Sequence, residues 1–142
     1  MSTSPNAALD ELADEFELLG DWEERYRYVI ELGKDLEPLT TAEHSEDNKV
    51  RGCASQVWLV TEPQGDGTIR FRGDSDAHIV SGLIAIVLRL YSGAAAGDIV
   101  AFDAAAAMAR LGLSEALSSQ RSNGLKSMVA RIQRDAAALA GA

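Results

Sequence analysis

The segment from Ala77 to Ser92 constrains the fold more than any other part of the chain, because it has almost no polar face. Its apolar residues recur at helical spacing and cover nearly the whole circumference, so a helix of this kind has to be buried on all sides. We therefore predict a central helix with Asp76 as its N-cap and Gly93 at its end. The rest of the 142 residues must supply the layers that cover it.

A β-hairpin is predicted just before that helix. Residues 56–61 are rich in β-branched and aromatic side chains, residues 63–67 read PQGDG, and residues 68–72 alternate apolar and charged side chains. These are the patterns of a strand, a turn and a returning strand. A third, shorter strand is expected before Gly52, which would leave Gly52, Cys53 and Ala54 at a turn between two strands.

Amphipathic helices are predicted on both sides of this region. One ends at Gly20, and a second runs from an N-cap at Asp21 to Gly33. Residues 37–48 are polar and aperiodic, which indicates an irregular surface connection. Short helical pieces are expected over residues 97–108 and a last helix over residues 123–139. Because no repeat or linker interrupts the chain, we predict a single domain over residues 1–142, with residues 1–6 disordered.

Charge is distributed unevenly along the chain. Residues 1–47 carry 14 Asp and Glu against 3 Lys and Arg, a net charge of −11, while the remainder has a net charge of +2. An excess of carboxylates opposes binding to phosphates, so nucleic acid is not an expected partner. The start of the chain has no basic segment followed by an apolar run, and no segment is apolar for the length of a membrane span. We expect a soluble, cytoplasmic protein without a membrane partner.

Cys53 is the only cysteine in the chain, so no internal disulfide can form and a reducing compartment is favoured. Free cysteine is among the most buried residue types, and an inert thiol in the core remains one explanation. Three features of its neighbours would suit a reactive sulfur, but by themselves they do not outweigh the inert thiol. Gly52 permits a tight turn, Arg51 could lower the pKa of the thiol, and Ser55 and Gln56 could donate hydrogen bonds to a sulfur anion.

Few other groups in the sequence offer chemistry. The candidate metal ligands are Cys53, His44, His78 and scattered carboxylates, with no pair at zinc spacing, so we predict no metal site. Catalysis by a Cys-His pair would need an imidazole beside the thiol, and either histidine could reach it only through the fold. We expect His44 to be solvated in a polar loop and His78 to be partly buried.

Four blocks of the sequence resemble the SufE family, the sulfur-acceptor partners of cysteine desulfurases in iron–sulfur cluster assembly. They occur in the same order as in the family and span nearly the whole chain. The blocks are WEERYRYVIELGKDL at 22–36, NKVRGCASQVWLV at 48–60, GDSDAHIVSGLIAIVLRLYSG at 73–93 and RSNGLKSM at 121–128. The GC-x-SQVW element is the most specific of them.

The resemblance implies both a fold and an activity. The fold would be α+β, with a small antiparallel sheet of about three strands packed against several helices, as in SufE and NifU-like proteins. Cys53 would accept persulfide sulfur from a PLP-dependent cysteine desulfurase of the SufS or CsdA type, stimulate that enzyme and deliver the sulfur to an iron–sulfur scaffold complex. The chain would be an accessory protein rather than an independent enzyme, and would need no cofactor of its own.

Two further positions follow from the resemblance. Asp76 matches a family aspartate near the cysteine loop whose loss is expected to loosen that loop. Arg121 matches a family arginine expected at the desulfurase interface. Two other functions stay open at this stage: a non-catalytic iron–sulfur scaffold, against which a single cysteine argues, and a plain binding module with an inert Cys53. If Cys53 must be hidden at rest and presented to a partner, residues 51–55 should be mobile.

Overall fold

The computed structural model describes residues 4–141 and has an α+β fold. In chain order its elements are α1 Pro5–Leu18, α2 Trp22–Lys34, β1 Val57–Pro63, β2 Thr68–Ser75, α3 His78–Tyr91, β3 Ala94–Ala95, α4 Ala96–Ala101, α5 Ala104–Arg110, α6 Leu113–Ala116 and α7 Ser119–Ala140. The three strands form one antiparallel sheet in the order β1-β2-β3. The predicted fold class is therefore confirmed.

Helix α3 is the centre of the core, as its sequence predicts. Five of its aliphatic side chains are at most 1% exposed, and burying an aliphatic side chain of this size contributes roughly 1.5–3 kcal/mol relative to leaving it in water. These side chains are Leu83, Ile84, Ile86, Val87 and Leu90. The helix packs against α2 on one side and against β2 on another.

Helices α2 and α3 cross at a pair of glycines. A Cβ added to Gly33 would lie 2.6 Å from the backbone nitrogen of Gly82, and a Cβ added to Gly82 would overlap the carbonyl oxygen of Val29. The two backbones can approach this closely only because neither glycine has a side chain. The crossing fixes α2 over the N-terminal half of α3.

The third strand is not where the sequence predicts it. The residues before Gly52 form only an isolated bridge between Lys49 and Trp58, and the third strand is Ala94–Ala95. The chain turns back at Gly93, whose N–H donates to the carbonyl of Ile69 at 2.7 Å, and this brings β3 against β2. The hairpin of β1 and β2 is confirmed, with Val57 opposite Ser75 and Pro63 opposite Ile69.

Several helix boundaries differ from those predicted. Helix α1 already includes Pro5 and Asn6, because the Ser4 side chain accepts a hydrogen bond from the N–H of Ala7 and proline suits the first turn. The rest of the predicted disordered tip, residues 1–3, lies outside the described residues. Helix α7 begins at Ser119, four residues before the predicted start, with Ser118 as its cap. The predicted cap of α2 is confirmed, since Asp21 accepts from the N–H of Glu24 at 3.0 Å.

Within residues 4–141, none of the helices is both long enough and apolar enough to span a membrane.

Candidate functional site

Cys53 lies on the loop of residues 51–56, which we call the Cys53 loop, between the bridge at Lys49 and the start of β1. The loop turns at Gly52, whose φ of +89° is in the left-handed region that favours glycine. A Cβ at Gly52 would lie 2.6 Å from the Oγ of Ser127, so the loop backbone rests directly on α7. The predicted role of Gly52 in a tight turn is confirmed.

The thiol of Cys53 points back into the protein. Its Sγ donates to the carbonyl of Gly124 in α7, at 3.6 Å. Beside it lies a cavity of about 140 Å³ between the first turns of α3 and α7. The apolar part of its wall consists of Ala77, Ile79, Val80, Leu83 and Met128. The wall also contains the polar residues Ser55, Gln120 and Arg121. Cys53 is half-buried beside this cavity.

Burial raises the pKa of the Cys53 thiol above its ordinary value. A thiol in an apolar environment holds its proton more tightly because the charged thiolate is poorly solvated there. Since the thiolate is the nucleophile, the sulfur in this position is less reactive than a free cysteine. Movement of the loop into water would restore an ordinary pKa and more thiolate.

Asp76 binds the end of the Cys53 loop. Its Oδ1 accepts a hydrogen bond from the N–H of Gln56 at 3.1 Å, and its own N–H donates to the carbonyl of Gln56 at 3.4 Å. The predicted helix N-cap at Asp76 is wrong: the N-cap is Ala77, which forms no side-chain cap. The carboxylate of Asp76 accepts its hydrogen bond from the neighbouring loop instead of from the first turn of α3.

Arg121 lines the same cavity as Cys53, although 68 positions separate them in the sequence. It stands in the first turn of α7 and is exposed at the rim of the cavity. Its Nη1 donates to the hydroxyl of Tyr26 in α2 at 3.3 Å. The guanidinium is therefore held at the solvent-exposed rim of the cavity by a residue of α2.

Arg51 does not stabilise the sulfur in this arrangement. Its guanidinium is 2.7 Å from the Oε2 of Glu46, and both side chains are more than 70% exposed. The side chain extends into solvent, whereas the thiol of Cys53 faces α7. The suggestion that Arg51 lowers the pKa of Cys53 does not fit a thiol whose pKa is raised by burial.

Two features of the site have no local signal in the sequence. Gly124 supplies the acceptor for the thiol, and a Cβ at this position would be in van der Waals contact with the sulfur, at 3.6 Å. Tyr26 holds Arg121 from another helix. Both belong to sequence blocks quoted above, but only the fold shows which side chains they approach.

The histidines are occupied elsewhere or lie at the surface. His44 is not simply solvated as predicted: its ring is 4.5 Å from that of Trp58, and its Nε2 is 3.0 Å from the Oδ2 of Asp74. His78 is exposed rather than partly buried. Among residues 4–141, no three His, Cys, Asp or Glu side chains form a group that could hold a metal ion.

Comparison with known proteins gives consistent results. Residues 10–136 match the SufE family model, described as an Fe-S metabolism associated domain. An uncharacterized SufE-like protein of Rhizobium etli is 57% identical over 139 residues, which are 96% of this chain and 94% of that protein. A second, from Rhizobium meliloti, is 52% identical over 132 residues, with 91% and 94% covered.

A solved structure shares the fold. The solution structure of a hypothetical protein from Thermus thermophilus superposes with a TM-score of 0.79 over 99% of each chain, at 18% identity. The family match includes the Cys53 loop and most of both helices that form its cavity.

Proposed function

Since the chain belongs to the SufE family and thus to proteins of iron–sulfur metabolism, we propose that it carries sulfur from a cysteine desulfurase on Cys53. The desulfurase would be a PLP-dependent enzyme of the SufS or CsdA type. The sulfur would pass on to an iron–sulfur scaffold complex. The lone thiol suits the reducing cytoplasm, which we propose as the compartment.

The chemistry requires one nucleophilic sulfur. The Cys53 thiolate attacks the terminal sulfur of a persulfide on the desulfurase cysteine. A new S–S bond forms to Cys53 while the S–S bond of the desulfurase persulfide breaks, and the desulfurase cysteine leaves as a thiolate. The sulfur moves without net oxidation, and freeing the desulfurase cysteine allows its next turnover. This would be the physical basis of stimulation.

The observation that carries this proposal is the position of Cys53 on a loop that turns at Gly52, with the sulfur beside a small cavity. A persulfide is easily reduced by other thiols, so a carrier needs to shelter it. The cavity of about 140 Å³ next to the Sγ offers room for one additional sulfur atom. Burial raises the pKa of the thiol and so lowers the fraction of reactive thiolate while the loop rests against α7.

Delivery requires the opposite state, in which the loop has left the cavity. The contact of the thiol with α7 is a single long hydrogen bond to Gly124, at 3.6 Å, and thiols are weak donors. The Asp76 contact at the loop's end is at the protein surface. Such contacts are weak enough for a partner to displace them, and Arg121 at the rim is placed to bind the partner that does so.

Stimulation of a desulfurase tests the proposal. The wild-type protein should increase sulfide release by a SufS- or CsdA-type enzyme supplied with cysteine and a reductant, and the Cys53→Ser variant should not. Circular dichroism must show that the variant is folded. Equal stimulation by both proteins would contradict a role for the thiol.

The scaffold function predicts a different result. One cysteine per chain supplies one thiolate, whereas a cluster commonly needs about four protein ligands. Anaerobic reconstitution with iron and sulfide should therefore leave no stable visible chromophore on the isolated protein. A chromophore that survives gel filtration would favour the scaffold function over the carrier.

A further inference from the structure

One face of α7 contacts the Cys53 thiol and also other segments of the chain. Four residues spaced three or four apart lie in a row on this face, which we call the loop-facing row. They are Gly124, Ser127, Arg131 and Asp135. Gly124 faces the sulfur and Ser127 supports Gly52. The other two contact the segments on either side of the Cys53 loop.

Arg131 binds the segment that leads into the loop. Its Nη2 donates to the carbonyl of Asp47 at 2.9 Å, and its Nη1 donates to the carbonyl of Lys49 at 3.4 Å. The Arg131 side chain is only 16% exposed. Hydrogen bonds from a cation are stronger than those between neutral groups, and partial burial reduces competition from water.

Asp135 holds the guanidinium in place and also binds the other side of the loop. Its Oδ2 is 3.2 Å from the Nε of Arg131 and accepts a hydrogen bond from the Oγ1 of Thr61 at 2.7 Å. Thr61 belongs to β1, the strand that follows the Cys53 loop. The row thus fastens both segments that flank the loop to a single helix.

We propose that Arg131 is a positioning residue, which anchors the entry of the Cys53 loop to α7 and thereby controls how often Cys53 leaves its cavity. The inference rests on the proposed function, in which Cys53 must alternate between shelter and presentation. It adds a residue that none of the sequence motifs indicated.

Besides Arg131, the loop entry is held by its bridge to β1 and by the buried side chain of Val50. The bridge between Lys49 and Trp58 consists of two backbone hydrogen bonds, from the N–H of Val50 to the carbonyl of Val57 and from the N–H of Leu59 to the carbonyl of Asn48, each 2.8 Å. The exit is held by Asp76. A loop fixed at both ends moves as a short hinged segment, and release of one end enlarges its range of motion.

Alkylation of Cys53 by iodoacetamide, without any desulfurase, tests the anchor. The Arg131→Met variant keeps an apolar stem but loses both hydrogen bonds, and we expect its alkylation rate to rise about tenfold, equivalent to about 1.4 kcal/mol in the opening equilibrium. Arg131→Lys retains a donor and should fall between wild type and Arg131→Met.

The matched control is Arg134→Met. The Nη2 of Arg134 is 3.2 Å from the other carboxylate oxygen of Asp135, but the Arg134 side chain is 71% exposed. The control removes one positive charge near Asp135 and leaves the two contacts to residues 47 and 49 intact. Its alkylation rate should stay within about twofold of wild type, since an exposed ion pair contributes little. Equal rates in Arg131→Met and Arg134→Met would overturn the proposal.

Hydrogen exchange keeps the proposal testable if Arg131→Met does not fold. In Arg131→Lys, the amides of Val50 and Leu59 should exchange faster than in wild type, while amides in the middle of α3 should be unchanged. Unchanged protection at Val50 and Leu59 would overturn the anchor. Faster exchange throughout the protein would also contradict it, because the effect would then be global instability.

Sulfur transfer separates this inference from the proposed function. If wild-type Cys53 takes up sulfur from a desulfurase, the persulfide should be lost to dithiothreitol faster in Arg131→Met than in Arg134→Met. Equal lifetimes of the persulfide in the two variants would contradict the role of Arg131 as an anchor of the loop. If the wild type takes up no sulfur, the proposed function fails, and the alkylation rates still decide the role of Arg131.

Discussion

Replacement of Asp76 by alanine should loosen the end of the Cys53 loop without unfolding the protein. The change removes the acceptor that lies 3.1 Å from the N–H of Gln56. A hydrogen bond to a charged group contributes roughly 1.5–3 kcal/mol, and exposure reduces this value. Because Asp76 is exposed, we expect a loss of about 1 kcal/mol, which corresponds to about a fivefold larger open population.

Amide hydrogen exchange measured by NMR reports this opening directly. In Asp76→Ala the Gln56 amide should exchange about fivefold faster, and alkylation of Cys53 should rise by a similar factor. Asp76→Asn keeps an oxygen acceptor and should show a smaller change. Asp98→Ala is a control that removes an exposed carboxylate from α4, and it should leave the Gln56 amide unaffected.

Two results would refute this reasoning. If Asp76→Ala leaves both the Gln56 amide and the Cys53 alkylation rate unchanged, the carboxylate does not hold the loop. If the exchange of all amides rises together, Asp76 acts on the stability of the whole fold, through α3 for example, and not on the loop.

Three further predictions concern pH and packing. The alkylation rate of Cys53 should follow a pKa above the ordinary 9.0, because burial disfavours the thiolate; an equal pKa in folded and urea-unfolded protein would contradict the sheltered position. Gly82→Ala should reduce the free energy of unfolding by about 1–3 kcal/mol, because the added Cβ overlaps the backbone of α2. Gly97→Ala, where a Cβ meets nothing within 4 Å, is its control, and similar melting temperatures for the two variants would show that the crossing tolerates a methyl group. The hydrogen bond from Arg89 holds the pKa of Glu15 below the ordinary 4.5, so the stability that this pair contributes is present above that pH and is lost as the pH falls through the lower pKa of the folded state. Denaturation at a series of acidic pH values should therefore show a shallower loss of stability in Arg89→Met than in wild type, and parallel profiles would argue against the pair.

Local sequence signals predict much of this fold because they act between near neighbours. The periodicity of residues 77–92, the turn at residues 63–67 and the cap at Asp21 each depend on a few adjacent positions. The strand β3 does not, since its two alanines have no strand pattern and pair with β2 only because the chain turns back at Gly93. Tertiary contact, not propensity, creates that strand.

In the candidate site, too, local sequence signals predict some features and tertiary contacts create the others. Cys53 and the turn at Gly52 are adjacent in sequence and were predicted together. Arg51 is also adjacent to this turn, yet it bonds to Glu46, while Arg121 comes from another helix to the rim of the cavity. Residues that are close in sequence lie on the same loop, but their side chains can point in different directions. The contacts of each side chain can therefore be identified only from the folded structure.

Asp76 shows how one side chain can have two local interpretations. An aspartate just before a helix is a common N-cap, and the sequence alone favours that role. In the structure, the carboxylate instead accepts a hydrogen bond from the N–H of Gln56, because the antiparallel pairing of β1 with β2 brings residue 56 beside residue 76. The resemblance to the SufE family pointed to the loop, and the hydrogen bond gives the physical contact.

Acceptance of sulfur by Cys53 can be measured directly by mass spectrometry. The wild-type protein should be incubated with a SufS- or CsdA-type desulfurase and cysteine, separated from the enzyme, alkylated without reductant and digested for mass spectrometry. We predict that the peptide containing Cys53 gains the mass of one sulfur atom beneath the alkyl group, and that dithiothreitol removes this gain. A Cys53 peptide without added sulfur, under conditions in which the desulfurase itself carries a persulfide, would contradict the account.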